Sequence, residues 1–265
     1  MKTSYYFSDK TWEELKEYVD KDSLIILPVG QTEEHGLHLP VETDARIATE
    51  VAREIAKEIE NEIPVLVMPT FWAGYSPNSM NVKKWPGTMQ VRMSVVIEYL
   101  YDVTASLVRM GFKKIVILDT HGQHNPLLNI VTKRIADDFD VYPAVTSPLT
   151  FCLKEFNEVR KSVRGGVLHA CEYETSLMML FTSLVKMDKL VDCDLMRYQS
   201  DFVAGDSASG GQKVTWSTWG LQDSKTGTYG DPTAASIATA NVCVAAMRNN
   251  YRKFLLEYYN FKKQS

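Results

Sequence analysis

Residues 23–29, Ser-Leu-Ile-Ile-Leu-Pro-Val, form an apolar run with no alternation. A strand with one wet face alternates between apolar and polar residues. An unbroken run instead marks a strand covered on both faces, as in a parallel sheet. Three further strands are expected at 64–68, 113–118 and 141–146. Helical patterns separate them: Ile47, Val51, Ile55 and Ile59 recur across 44–59, and further helices are read over 91–110 and 126–138. This alternation predicts an α/β fold, a three-layer sandwich whose mostly parallel, doubly wound sheet is flanked by helices.

Other segments are read more coarsely. Thr11 and Glu14 have capping-box spacing at the head of a short helix. Residues 69–88, rich in Gly, Pro, Ser and Asn, read as a long loop, of the kind that is functional or makes an oligomer contact. A helix is expected over 172–184, loops or a short hairpin over 203–232, and a long closing helix over 234–259. The 265 residues suit one domain, 1–265.

A formal net charge of −4 argues against nucleic-acid or anionic-membrane partners. Cys152, Cys171, Cys193 and Cys243 form no Cys-x-x-Cys pair and read as thiols of a reducing compartment. The first residues lack the order of a signal peptide, and no apolar run reaches transmembrane length, so a cytoplasmic location is expected.

All five histidines fall in three motifs crowded with carboxylates. His35 and His38 lie in Gly30-Gln31-Thr32-Glu33-Glu34-His35-Gly36-Leu37-His38, with Asp44 following. His121 and His124 lie in Asp119-Thr120-His121-Gly122-Gln123-His124-Asn125. His169 opens His169-Ala170-Cys171-Glu172-Tyr173-Glu174-Thr175-Ser176. Imidazole beside carboxylate is a metal-ligand pattern. The first motif follows the first strand and the second follows the third. Strand carboxyl ends are where open α/β sheets gather ligands.

Glu33 and His35, one residue apart, point the same way if extended, and Asp44 can turn back from the start of the next helix. His169 and Glu172 would share a face of a helix turn, whereas Glu172 and Glu174 could not both face the site. His38 reads as structural, and His124 as a supporting or helix-capping residue. No Gly-x-Ser-x-Gly elbow, dinucleotide fingerprint or P-loop occurs.

Leu27-Pro28-Val29-Gly30-Gln31-Thr32-Glu33-Glu34-His35-Gly36, with Pro40 and Thr43-Asp44, resembles the opening motif of the creatininase family (creatinine amidohydrolase and relatives). Trp85-Pro86-Gly87-Thr88, His121, the His169–Ser176 segment and Gly230-Asp231-Pro232-Thr233 follow in the family's order. The resemblance implies two divalent metal ions per chain, Zn, Mn or Fe, and hydrolysis of a C–N bond in a small amide by a metal-activated water. It places Glu33, His35, Asp44 and His121 at ligand positions, with Asp44 between the ions, and His169 where a proton is handled.

Gln123 stands where creatininase has a glutamate ligand. Glu172 is accordingly expected to supply that carboxylate, and with His169 to serve catalysis. Gly165 replaces a tryptophan near the substrate, so a lid fitted to creatinine is not expected. The expected substrate is a small cyclic or formylated amide. The family also implies a homo-oligomer, hexamers included. Two alternatives stay open: a metallopeptidase acting on a modified peptide, and a non-catalytic metal- or ligand-binding protein.

Overall fold

The computed structural model describes residues 5–77, 84–191, 194–210, 213, 214, 216 and 222–261. Cys193 lies outside them. In chain order the elements are α1 (Trp12–Asp20), β1 (Leu24–Val29), α2 (Thr43–Ile59), β2 (Val65–Val67), α3 (Met93–Met110), β3 (Lys114–Asp119), α4 (Asn125–Phe139), β4 (Ala144–Thr146), α5 (Pro148–Val159), β5 (Val167–His169), α6 (Glu172–Phe181), β6 (Tyr229–Gly230) and α7 (Ile237–Asn260). The Thr11–Glu14 capping box forms as its spacing predicts.

β1 to β4 make one parallel sheet in the order β2-β1-β3-β4. Its apolar runs serve two cores. Leu24, Ile26, Val65, Val67, Val116 and Leu118 face α2, α5, α6 and α7. Ile25, Leu27, Val29, Leu66, Ile115 and Ile117 face the layer containing α3 and α4. Both faces of β1 are thus dry, which is why its sequence does not alternate.

β5 and β6 form a separate antiparallel pair, so the hairpin expected over 203–232 is made with a partner outside that range. The helix α5 and the strand β5 escaped the periodicity reading. The helix is compact, with Pro148 at its start, and the strand is three residues long.

The sheet order fixes the site. β1 has β2 on one side and β3 on the other, so chain connections leave β1 and β3 toward opposite layers. The crevice between their carboxyl ends is the topological switch point. Val29 pairs with Asp119 in the β1–β3 register, so the first and second histidine motifs leave the sheet side by side.

Gly30 closes the junction. A Cβ there would stand 2.5 Å from the Ala45 backbone nitrogen, so only glycine lets the end of β1 touch the start of α2. Thr120 Oγ1 donates to the Asp44 carbonyl at 2.8 Å and ties the end of β3 to the same helix turn. Gly30→Ala is therefore expected to cost about 1–3 kcal/mol by overpacking. Urea unfolding checks this, and an unchanged midpoint would show that strand and helix can part freely.

Candidate metal centre

Three carboxylates and three imidazoles meet at this crevice. Asp44 sits in the first turn of α2 but is not its cap: Glu42 holds that position, and no side chain caps the helix. Asp44 Oδ1 lies 3.2 Å from His35 Nε2, and Oδ2 lies 3.1 Å from His121 Nδ1. The Oδ2 contact lacks hydrogen-bond alignment, so this buried acceptor has no donor. Glu33 Oε1 lies 3.6 Å from His121 Nδ1 and 3.3 Å from His169 Nδ1.

The outer nitrogen of each imidazole meets a carbonyl, which can only accept. His35 Nδ1 donates to Glu33 O at 3.0 Å, His121 Nε2 to Tyr75 O at 3.1 Å, and His169 Nε2 to Glu34 O at 2.7 Å. Each ring therefore turns its other nitrogen toward the carboxylates, the orientation a ligand histidine needs.

The ligand-type atoms fall into sets lying within 4.8 Å of one another: Glu33–Asp44–His121, His35–Asp44–Glu174 and Glu33–His35–His169. The first two share Asp44. Burial opposes charge on His35 and His121, but the Asp44 and Glu33 carboxylates outweigh it and hold their pKa values up at about 10 and about 9. Burial pushes the Glu174 carboxyl up against the pull of His35 and His169. Buried carboxylates in this number call for positive charge. The donorless Asp44 oxygen and the mixed N/O donor set both fit divalent cations.

Two sequence expectations change here. His169 and Glu172 do not share a helix turn: His169 ends β5, Ala170 takes a left-handed φ of 50°, and α6 begins at Glu172. Glu172 is fully buried away from the cleft. Its carboxylate accepts from Lys161 N at 2.9 Å and Ser162 N at 2.8 Å, so it braces that loop. The sequence expectation makes Glu172 a ligand and proton donor; among the described residues it joins none of the three ligand sets. Glu174, two residues on, reaches back over the helix start, accepts from Cys171 N at 3.3 Å, and joins His35 and Asp44.

The remaining motif residues support the centre. His38 Nε2 bonds Thr175 Oγ1 at 2.9 Å; burial and the neighbouring His35 and His169 depress its pKa to about 4, which keeps it neutral. His124 stands at the N-cap position of α4, accepts from Tyr75 N at 3.1 Å, and faces Asp119 at 3.4 Å. Thr88 of the Pro-Gly-Thr turn accepts from Glu34 N at 3.1 Å. Gln31 and Ser76, which sequence reasoning passed over, lie in the layer behind Glu33.

A cleft of ≈ 560 Å³ opens over the centre, reached by Glu33, Asp44, His121, His169 and Glu174. Thr120, Gln123, Ser147, Thr150 and Ser207 offer hydroxyl and amide groups, and Leu149, Leu168 and Tyr173 offer apolar surface. Among the described residues no lysine or arginine lines it. The volume suits a small molecule. No helix among the described residues is long and apolar enough to cross a membrane.

The family profile described as creatinine amidohydrolase matches residues 8–255. The 3-dehydro-scyllo-inosose hydrolase of Thermotoga maritima is 30% identical over 198 residues, 72% of this chain. That match spans 61% of the relative's own length. The creatinine amidohydrolase of Pseudomonas putida is 28% identical over 207 residues, 72% of this chain and 78% of that protein. A solved Bacteroides fragilis structure described as a "Putative creatinine amidohydrolase" superposes with a TM-score of 0.82, at 23% identity and with 100% of both chains covered.

A parallel α/β sheet with an imidazole–carboxylate centre at its switch point is the class that fold and site define. Within that class, the chain belongs to the creatininase family.

Because Glu172 braces backbone amides, Glu172→Gln is expected to lower stability by about 1–3 kcal/mol while leaving cation uptake unchanged. Glu174→Gln is expected to lower uptake. Denaturation and metal titration on the two variants check this, and the opposite pattern would return Glu172 to the centre.

Proposed function

We propose that this chain is a metal-dependent amidohydrolase that opens a C–N bond in a small, cyclic or formylated amide. The observation that carries the reading is the pair of three-residue ligand sets sharing Asp44, Glu33–Asp44–His121 and His35–Asp44–Glu174, beneath a cleft of small-molecule size. Divalent cations held there would supply an acidified water and a polarised carbonyl. Either Zn or Mn suits the donors, as does Fe.

The protein's own residues do the rest. Glu33, Asp44 and Glu174 balance the cations' charge. His169 donates through Nε2 to the Glu34 carbonyl, and this leaves Nδ1 to take up or deliver the proton that the departing nitrogen needs. Thr120, Gln123, Ser147 and Thr150 give the substrate hydrogen-bonding partners, and the carboxylates among the described lining residues, with no lysine or arginine beside them, disfavour an anionic substrate.

A second reading is favoured by the relative at 30% identity, which is named for hydrolysis of 3-dehydro-scyllo-inosose, a polyhydroxylated ring with two ketones. On that reading water adds to one carbonyl of a small cyclic 1,3-diketone, the C–C bond to the carbon between the carbonyls breaks, the second carbonyl takes the electron pair as an enolate that is then protonated, and the hydroxyl-rich wall receives the ring's hydroxyls. Self-association is proposed through the loop carrying Trp72, 58% exposed.

Chelator-stripped and cation-reloaded protein should be assayed against creatinine, other lactams and formamides, and against cyclic polyhydroxy ketones. Turnover of an amide only after reloading is the expected result. Turnover of ketones alone moves the second reading ahead, and amide turnover surviving complete cation removal contradicts the proposal. Asp44→Asn is expected to abolish uptake at both ligand sets and to cut activity by more than about 100-fold, beyond what loss of a supporting residue costs.

A further inference from the structure

The layer of side chains behind the centre is unequal. Gln31 is completely buried and bonded at both ends of its amide. Its Oε1 accepts from Gly74 N at 2.6 Å, and its Nε2 donates to Met89 O at 2.6 Å and to Ser76 Oγ at 2.9 Å. A backbone N–H can only donate and a carbonyl can only accept, so the amide has one orientation. Ser76 Oγ, already an acceptor from Gln31, spends its own proton on Glu33 Oε2 in a short hydrogen bond.

The relay therefore runs one way, from Gly74 through Gln31 and Ser76 to Glu33. It occupies Oε2 and leaves Oε1 for His121 and His169. The neighbouring Tyr75 carbonyl takes the proton of His121 Nε2 and so turns Nδ1 inward. Residues 74–76 thus orient two of the three residues in the Glu33–Asp44–His121 set.

The His35–Asp44–Glu174 set is supported otherwise. His35 is oriented by the Glu33 carbonyl within its own motif, and Glu174 by the Cys171 amide at the start of α6. Among the described residues no hydrogen bond runs from 74–76 to His35 or Glu174.

We propose that Ser76, aligned by Gln31 and acting with the Tyr75 carbonyl, is a positioning residue that sets cation affinity at the Glu33–Asp44–His121 set and leaves the His35–Asp44–Glu174 set alone. The inference rests on the two-cation reading above. It assigns a role to Gln31 and to a serine 43 residues downstream of Glu33, and it makes the two cation positions independently adjustable.

The test is a Mn2+ titration of chelator-stripped protein, with free ion followed by its electron paramagnetic resonance signal. Wild type is expected to take up two ions. Ser76→Ala is expected to weaken one step by about 10–100-fold, the usual cost of losing a ligand's supporting residue, and to keep the other. Ser76→Thr, which retains the hydroxyl, should restore the weakened step. Gln31→Met should weaken the same step, and Glu174→Gln the other.

Two unchanged steps in both Ser76→Ala and Gln31→Met overturn the proposal, as does equal weakening of both steps. A wild-type protein that takes up no Mn2+ in this titration, and no Zn2+ or Fe2+ by elemental analysis after dialysis against each, overturns the two-cation reading itself, and this proposal with it.

Discussion

The Asp44 carboxylate, buried between His35 and His121, is the contact on which the site depends. One oxygen faces each imidazole. Two buried histidines this close to one carboxylate are brought together only if the start of α2 is pressed into the switch point. That in turn requires glycine at position 30, the Thr120 tie to the Asp44 carbonyl, and the register that levels Val29 with Asp119. Burial would raise the Asp44 pKa, yet His35 and His121 more than offset this and hold it below the usual carboxylate range. The helix start is therefore an electrostatic element as much as a packing one.

Around Asp44 the chain spends its polar residues on orientation. Every inward-facing imidazole has its outer N–H fixed by a backbone carbonyl. Glu172 and Asp206 brace the neighbouring wall. Glu172 accepts from the amides of Lys161 and Ser162; Asp206 accepts from Arg160 at 2.9 Å and from Gly165 N at 2.7 Å. Such shells hold reacting groups in place before substrate arrives, where most of a hydrolase's advantage originates.

Much of this was legible in the sequence because the responsible physics is local. The unbroken apolar run of β1 reported burial on both faces, and the spacing of Ile47, Val51, Ile55 and Ile59 reported the buried face of α2. Glu33, His35, Asp44 and His121 were marked by their crowding, and the structure brings all four together. The choice between Glu172 and Glu174 was not local. It depends on where β5 stops and α6 starts, set by a left-handed Ala170 that no propensity announces. Had Cys171 been read as the N-cap, Glu174 would have stood out as the third helical residue reaching back, in the manner of a capping box. Gln31 lay inside the first motif, but its role and that of Ser76 left no signal, since a lone serine in a loop becomes a support only when the fold carries that loop behind Glu33.

The proposed pair of cations shares Asp44. Anomalous diffraction from crystals grown with Mn2+, recorded on both sides of the metal's absorption edge, tests it most directly. Two peaks per chain are expected, one among Glu33, Asp44 and His121 and one among His35, Asp44 and Glu174. A single peak, or a peak in contact with Glu172, would contradict it.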